Sequence, residues 1–422
     1  MKKLKLSTKP YLLILVLLII GYFNLDYLRA FARENLPYNV KIYIKTKFFG
    51  KKYLDEINYF KLSNYNQKIL PETEFLNLKI KKIEVQKLKL SKQAHYNPLI
   101  NKDLKKKFFI TIYNDKIILI DSAGTIIQLD DIKNLQEESI KNNIKELNTK
   151  DIKDAHIIDN NLFISYSFPN AKNCDYFRIA KADLKQRELN FEIFFDSKEC
   201  NKNVIAGRMS EYALSNDKKG LLVTTGSDGT SIIKVAQKNE SIYGKILFFN
   251  LSDKSYQIVS KGHRNPQGLT VIDDKILSTE HGPKGGDEIN LIKIGSNYGW
   301  PVASYGEPYK YSVGSEYKFK KNHYKNNFEE PIFSFVPSIG ISQLIHIPDN
   351  FSTLWSENFF ISSLNARSLF RVKFDKNFTK LIFKEKIIIG ERIRDITYFE
   401  KFNTFLVALE DSGSIGFISM DQ

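Results

Sequence analysis

Six times along this chain an apolar β-run is followed by a polar turn and a second apolar run. The units are Phe109–Leu129, His156–Ser167, Tyr212–Thr225, Leu269–Thr279, Leu344–Val372 and Ile393–Ser419. Their turns carry Asn-Asp, Asp-Asn-Asn, Asn-Asp-Lys-Lys and Asp-Asp, residues that accept the left-handed backbone of a tight hairpin. Units that begin roughly every 45 to 75 residues suit a radial array of four-stranded blades. The sequence therefore predicts an all-β six-bladed β-propeller, with a pair of β-sandwich domains as the alternative. Helical periodicity is nearly absent, and Asp131–Leu147 is the main candidate helix.

At 422 residues, 42% hydrophobic and 13% aromatic, the chain can fill a large core, and disorder is excluded. Lys and Arg number 63 against 48 Asp and Glu, a net charge of +15. The lysines are scattered over the whole chain, which reads as a solvated basic surface. No helix-turn-helix, zinc finger or RNA-binding aromatic motif occurs, so no nucleic-acid partner is expected.

The amino terminus carries Lys2, Lys3, Lys5 and Lys9 before an unbroken apolar run from Tyr11 to Phe23. Basic residues stay on the cytoplasmic side, so export of the rest is expected. Leu25, Tyr27 and Leu28 can extend the run into one N-terminal transmembrane helix, a signal-anchor. The alternative is a cleaved signal helix with Ala30-Phe31-Ala32 as its processing site. The expected location is the inner membrane with the propeller in the periplasm, or secreted if the signal is cleaved. In that oxidising setting Cys174 and Cys200 are expected to pair as a disulfide, the other reading being two separate buried thiols. The domain reading is a signal segment over 1–32, a basic lead-in with strand-like alternation over 33–105, and the propeller over 106–422.

The chemistry-bearing stretch is Gly262–Pro301. Arg264 and Asn265 stand just before a strand, which runs into Glu280-His281-Gly282-Pro283-Lys284-Gly285-Gly286-Asp287-Glu288. Three glycines and a proline expose backbone amides and carbonyls, which suits a ligand pressed against the loop or simply a structural turn. It is neither a Walker A loop nor an EF-hand.

Three pieces in order, GHRNPQGL, TEHGPKGGDEINLI and NYGWP, resemble the signature of the pyrroloquinoline-quinone (PQQ)-dependent glucose/sorbosone dehydrogenase family. Weaker similarity extends over about residues 105–420, through Ala206-Gly207-Arg208, Tyr243-Gly244-Lys245, Ser363–Val372 and Glu391–Asp395. The resemblance implies a six-bladed propeller that passes a hydride from a sugar C1 hydroxyl to PQQ, and electrons onward to a membrane quinone or cytochrome. It also implies roles. Arg264 and Asn265 hold the cofactor near its reactive carbonyl, with Arg264 stabilising charge there, and His281 and Asp287 belong to the cofactor loop. The carbonyls of Gly282 and Pro283 ligate a calcium ion (Ca2+), and Arg392 and Arg394 meet cofactor carboxylates. Guanidinium forks suit a tricarboxylate, and calcium suits carbonyl oxygens.

Two departures matter. The family's catalytic histidine, three residues before its Gly-Arg, meets Val204 here, and valine cannot take a proton. The family's aspartate meets Thr224-Thr225-Gly226-Ser227-Asp228 with the acid displaced by one, leaving Asp228 or His156 as candidate bases. Otherwise His156 reads as a core histidine, and His95, His323 and His346 as loop or surface residues. A lysine that some members use for the cofactor meets Asn365. The leading expectation is a sugar dehydrogenase. Its rivals are a propeller that binds without catalysing and a calcium-dependent lactonase-like enzyme.

Overall fold

A computed structural model describes residues 78–89, 105–130, 136–170, 174–214, 219–227, 235–308 and 318–420. The proposed N-terminal transmembrane or signal helix therefore lies outside the described residues. Among those residues, no helix is long and apolar enough to cross a membrane.

The repeats fold as six four-stranded antiparallel sheets. The first blade holds β2 (Phe108–Tyr113), β3 (Lys116–Asp121), β4 (Ile126–Leu129) and β5 (Glu137–Ile140). The second holds β6 (Asp151–Ile158), β7 (Asn161–Asn170), β8 (Cys174–Asp183) and β9 (Glu192–Asn201). The third holds β10 (Ala206–Ala213), β11 (Lys219–Thr225), β12 (Lys245–Asn250) and β13 (Tyr256–Lys261). The fourth holds β14 (Pro266–Ile272), β15 (Lys275–Glu280), β16 (Asp287–Ile292) and β17 (Phe333–Phe335). The fifth holds β18 (Ile341–His346), β19 (Asn358–Ser363), β20 (Ser368–Phe374) and β21 (Leu381–Ile388). In the sixth, β22 (Ile393–Phe399), β23 (Thr404–Leu409) and β24 (Ser414–Met420) are joined by β1 (Leu78–Glu84). The first strand of each blade touches the first strands of its two neighbours, so β2, β6, β10, β14, β18 and β22 form a closed inner ring.

The turn chemistry explains the hairpins. Asn114 and Asp115, with φ of 49° and 59°, join Tyr113 and Lys116, which face each other across β2 and β3. Both central residues in the left-handed region give a turn whose twist matches the strands. Asp159 and Asp273 hold the same conformation in the second and fourth blades.

Apolar side chains fill the seams between blades. One cluster joins Phe109, Ile120 and Ile126 of the first blade to Ile152, Ile164 and Tyr166 of the second. Another joins Leu277 and Ile289 of the fourth to Ile341, Phe359 and Phe370 of the fifth.

Two readings are corrected or completed here. The candidate helix over Asp131–Leu147 contains a strand instead: Glu137–Ile140 pairs with β4, Ile126 facing Ile140, and only Ile144–Leu147 form a 3-10 turn. Tertiary pairing outweighs local helical preference there. In the lead-in, β1 runs antiparallel to β24 from Leu78↔Met420 to Glu84↔Ser414, closing the ring with chain from before the first blade. Val85 and Leu88 then enter the core beside Phe108 and Leu406. Cys174 and Cys200 are disulfide-bonded at the paired ends of β8 and β9, with Cα atoms 5.7 Å apart.

Candidate functional site

Arg264 and Asn265 sit at the entrance of β14, and the 281–286 loop leaves the neighbouring β15 at the same end. The loop is tied down by one carboxylate. Asp287 Oδ1 accepts the Gly282 N–H at 3.1 Å and the Ser338 hydroxyl at 2.8 Å. Its Oδ2 accepts the N–H groups of Ile339 and Ile341, both at 3.0 Å. Asp287 thus fastens the 281–286 loop of one blade to the start of the next. Gly282 is obligatory: a side chain there would run into the carbonyls of Gly285 and Gly286.

Arg264 closes over this loop. Its Nη1 donates to the carbonyls of His281 and Gly282 at 3.0 and 2.8 Å, and its guanidinium lies 5.4 Å from the Trp300 ring centre. Its own N–H donates to Glu280, which also holds His263 Nδ1 at 2.9 Å. His263 in turn meets Ser260 and stacks on Tyr298. The third sequence piece, containing Tyr298 and Trp300, is therefore the support beneath Arg264.

From Arg264 a row of polar side chains crosses the inner ring. Asn265 Nδ2 lies 3.4 Å from His281 Nδ1, and Gln267 donates to Asn265 Oδ1 at 2.7 Å. Arg394 donates from Nη1 to Gln267 Oε1 at 3.0 Å. Arg394 and Arg392 then share the fully buried Glu410, at 2.6 and 3.0 Å. Burial raises that carboxyl, but the two guanidiniums prevail and hold it down at about 2. Burial lowers the His281 pKa against the pull of Asp287, with Arg264 and Arg394 adding to the lowering.

Below the row Arg208 plugs the ring. Its Nη1 donates to Asp154 at 2.9 Å and to Asp395 at 2.8 Å, its Nη2 to the Arg394 carbonyl, and its Nε to the Gln267 carbonyl. Four of the six inner strands are joined through this one side chain. Burial and the nearby Asp395 push Asp154 up to about 7 despite Arg208.

The structure thus brings Arg264, Asn265, His281, Arg394 and, through Glu410, Arg392 into one network. Asp287 and Gly282 anchor it, and Pro283 lies against Gly306. Asp228 lies outside the described residues. Its neighbour Ser227 donates to the Arg264 carbonyl at 2.6 Å and accepts the Trp300 indole N–H at 2.8 Å. Val204 is buried in an apolar cluster with Phe163, Phe177, Phe194, Met209 and Tyr243. His156 accepts the Glu211 N–H through Nε2 at 3.2 Å, and burial lowers its pKa to about 4. Asn365 is bonded through its backbone N–H to Ile339.

Of the histidines read as loop or surface residues, one lies on a strand and one is buried within a loop. His346 lies on β18, half-buried against Phe359. His323 is buried between Glu288 at 3.7 Å and Glu330 at 3.5 Å. Glu288 faces Glu280 across β15 and β16, and burial plus that neighbour raise its pKa well above the usual carboxylate range. Sequence reasoning also missed Gln267, Glu410 and a second cluster. There Asp151 binds both Lys107 (3.0 Å) and Lys153 (2.7 Å). Burial, Lys153 and Arg394 lower Lys107 to about 8 against the pull of Asp151. Only the alternation of charged and apolar residues at the strand entrances hinted at these groups.

The sequence model of the Glucose / Sorbosone dehydrogenase family matches residues 102–416. Aldose sugar dehydrogenase YliI of Escherichia coli (strain K12) is 30% identical over 172 residues, 40% of this chain and 45% of that protein. The chain spans about half the length of the curated relatives it matches. Among solved structures, the apo-form of the soluble aldose sugar dehydrogenase from Escherichia coli superposes with a TM-score of 0.62 at 19% identity, covering 81% of this chain and 99% of that one. The PQQ-bound aldose sugar dehydrogenase from Streptomyces coelicolor gives a TM-score of 0.55 at 16% identity, covering 82% and 100%. At these identities the structural likeness establishes the shared fold.

Proposed function

The chain belongs to the glucose/sorbosone dehydrogenase family, and from that premise we propose that it is a PQQ-dependent oxidoreductase acting on an aldose at its anomeric carbon. The observation that carries this reading is the hydrogen-bonded row Arg264–His281–Asn265–Gln267–Arg394 across the inner ring, extended to Arg392 by Glu410. Three guanidiniums, an amide and an imidazole fit a planar tricarboxylate, because charged donors in forked geometry bind carboxylates most strongly. When bound, PQQ supplies a two-electron acceptor for a hydride. Arg264 supplies positive charge where a cofactor oxygen gains electron density, and Arg392 and Arg394 orient the carboxylates. The proton of the sugar hydroxyl is assigned to Asp228, whose neighbour Ser227 is bonded to Arg264 and Trp300.

Calcium is a different matter. The Gly282 carbonyl accepts from the Arg264 guanidinium, which puts a positive group beside any ion seated on that oxygen. The residues present disfavour the ion on that ground, and no step is derived through it.

A second reading, a propeller that binds the cofactor without turning over sugar, is favoured by Val204, which packs into the core where a base would be needed. Titrating the purified protein with PQQ and then measuring dye reduction with a panel of aldoses separates the two. Binding with reduction supports the dehydrogenase, binding alone supports the second reading, and no binding overturns both. We further propose that the propeller is exported and passes electrons to a membrane quinone or cytochrome. The Cys174–Cys200 disulfide supports an oxidising compartment. A reporter fused after residue 422 should be active only outside the cytoplasm.

A further inference from the structure

We propose that the Arg264 guanidinium takes the cation's place at the 281–286 loop, so that this protein binds its quinone cofactor without calcium. The inference rests on the cofactor reading above and adds to it.

Calcium needs six to eight oxygen ligands at about 2.3–2.6 Å, usually with carboxylates among them. Two of the loop's carbonyls already face a cation. The carbonyls of His281 and Gly282 both accept from Arg264 Nη1, at 3.0 and 2.8 Å. A divalent ion seated on those oxygens would press against a positive guanidinium. Asp287, the loop's own carboxylate, accepts four hydrogen bonds, two on each oxygen, from Gly282, Ser338, Ile339 and Ile341. Turning it toward an ion would release the start of the fifth blade. Glu280 is committed as well, with Oε1 on the Arg264 N–H and Oε2 on His263.

The loop cannot readily re-form around a guest, because Gly282 is packed against the carbonyls of Gly285 and Gly286. Glu280 holds the backbone N–H of Arg264, and Trp300 lies beside its guanidinium. A fixed guanidinium offers the same service as the ion, positive charge beside the quinone and a clamp on the loop carbonyls, without a coordination shell.

The test is cofactor affinity of the full chain by calorimetry or fluorescence, in excess chelator and in excess calcium. The expected result is binding in both, with affinities that agree within about threefold. Binding that requires calcium overturns the inference while leaving the cofactor reading in place. Absence of binding in both conditions overturns the cofactor reading and this inference with it. The second arm is Arg264→Ala, with Arg264→Lys in its place if the alanine protein does not fold. Loss of the charged hydrogen bonds should weaken cofactor binding in chelator by about tenfold or more. Unchanged affinity in the variant overturns the inference.

Discussion

The two sides of the ring entrance are built on opposite principles. On the fourth-blade side, Arg264, Asn265 and His281 are tied to one another and to a loop that Asp287 anchors. On the third-blade side the chain passes Val204 into an apolar cluster and then turns through Ala206 and Gly207, with φ of 65° and 114°, to deliver Arg208 to the axis. One side gathers hydrogen-bond donors. The other spends its residues on joining blades. On the function proposed above, binding and proton abstraction would draw on different blades, and a chain could keep the first while changing the second.

The sharpest way to break that contrast is to remove Arg208, which belongs to both sides. It is buried with Asp154 and Asp395 and also holds the carbonyls of Gln267 and Arg394. Arg208→Ala strands two buried carboxylates and should cost about 3–5 kcal/mol in denaturant unfolding. Its loss should also loosen the polar row and weaken cofactor binding. A variant with unchanged stability would show that the two sides are not coupled through the axis.

Next comes Glu410→Gln, which touches the ligand side alone. The folded pKa of Glu410, about 2, lies below its ordinary 4.5, so its contribution is present above pH 4.5 and disappears as pH falls toward 2. Integrated over that window the contribution is about 3 kcal/mol. The variant should be less stable at neutral pH and should lose part of the acid limb of the stability profile. An unchanged acid limb would place the charge balance of Arg392 and Arg394 elsewhere.

On the other side, Val204→His tests whether a base can be restored by one substitution. An imidazole in that apolar cluster lacks a partner, and the expected cost is about 1–3 kcal/mol. Sugar-dependent dye reduction should not exceed that of the unmodified protein, because the side chain is packed away from the polar row. Higher turnover at undiminished stability would show that this segment can turn outward, and the contrast between the sides would soften.

The same contrast explains what was legible in the sequence. Hairpins announce themselves locally: Asn114-Asp115 and Asp273 sit in turns whose backbone their own side chains tolerate, so six repeats could be counted. The 281–286 loop was legible because its glycines, its Pro283 and Asp287 lie within a few residues of one another. Gln267, Glu410 and Arg208 were not, since each acts on a partner far along the chain; Arg208 and Asp395 are 187 residues apart. His323 lies in a loop, as its polar segment suggests, but its burial depends on Glu288 and Tyr305 arriving from elsewhere. Strand β1 gave clear alternation but no sign that its partner is β24.

The smallest expected effect lies on the blade-joining side and is read by pH. His156 on the second blade accepts the Glu211 N–H of the third, a bond that only the neutral imidazole can take. Burial lowers its folded pKa to about 4, below the ordinary 6.5, against the weaker opposing pull of Glu211 and Asp395. Between those values the unfolded chain binds more protons, so stability rises with pH across the window and is lost as pH falls from 6.5 toward 4. Its contribution to the loss between pH 7 and pH 5 is about 1–2 kcal/mol. His156→Gln, which has no titrating group there, should flatten the stability profile above pH 5 while leaving the Glu410 limb at lower pH intact. Because the two windows barely overlap, one pair of pH-dependent unfolding series assigns acid sensitivity separately to the side that joins blades and to the side that holds the ligand. Flattening of both limbs by either substitution would mean that the two sides titrate as one network through Asp395, and the division drawn here would have to be abandoned.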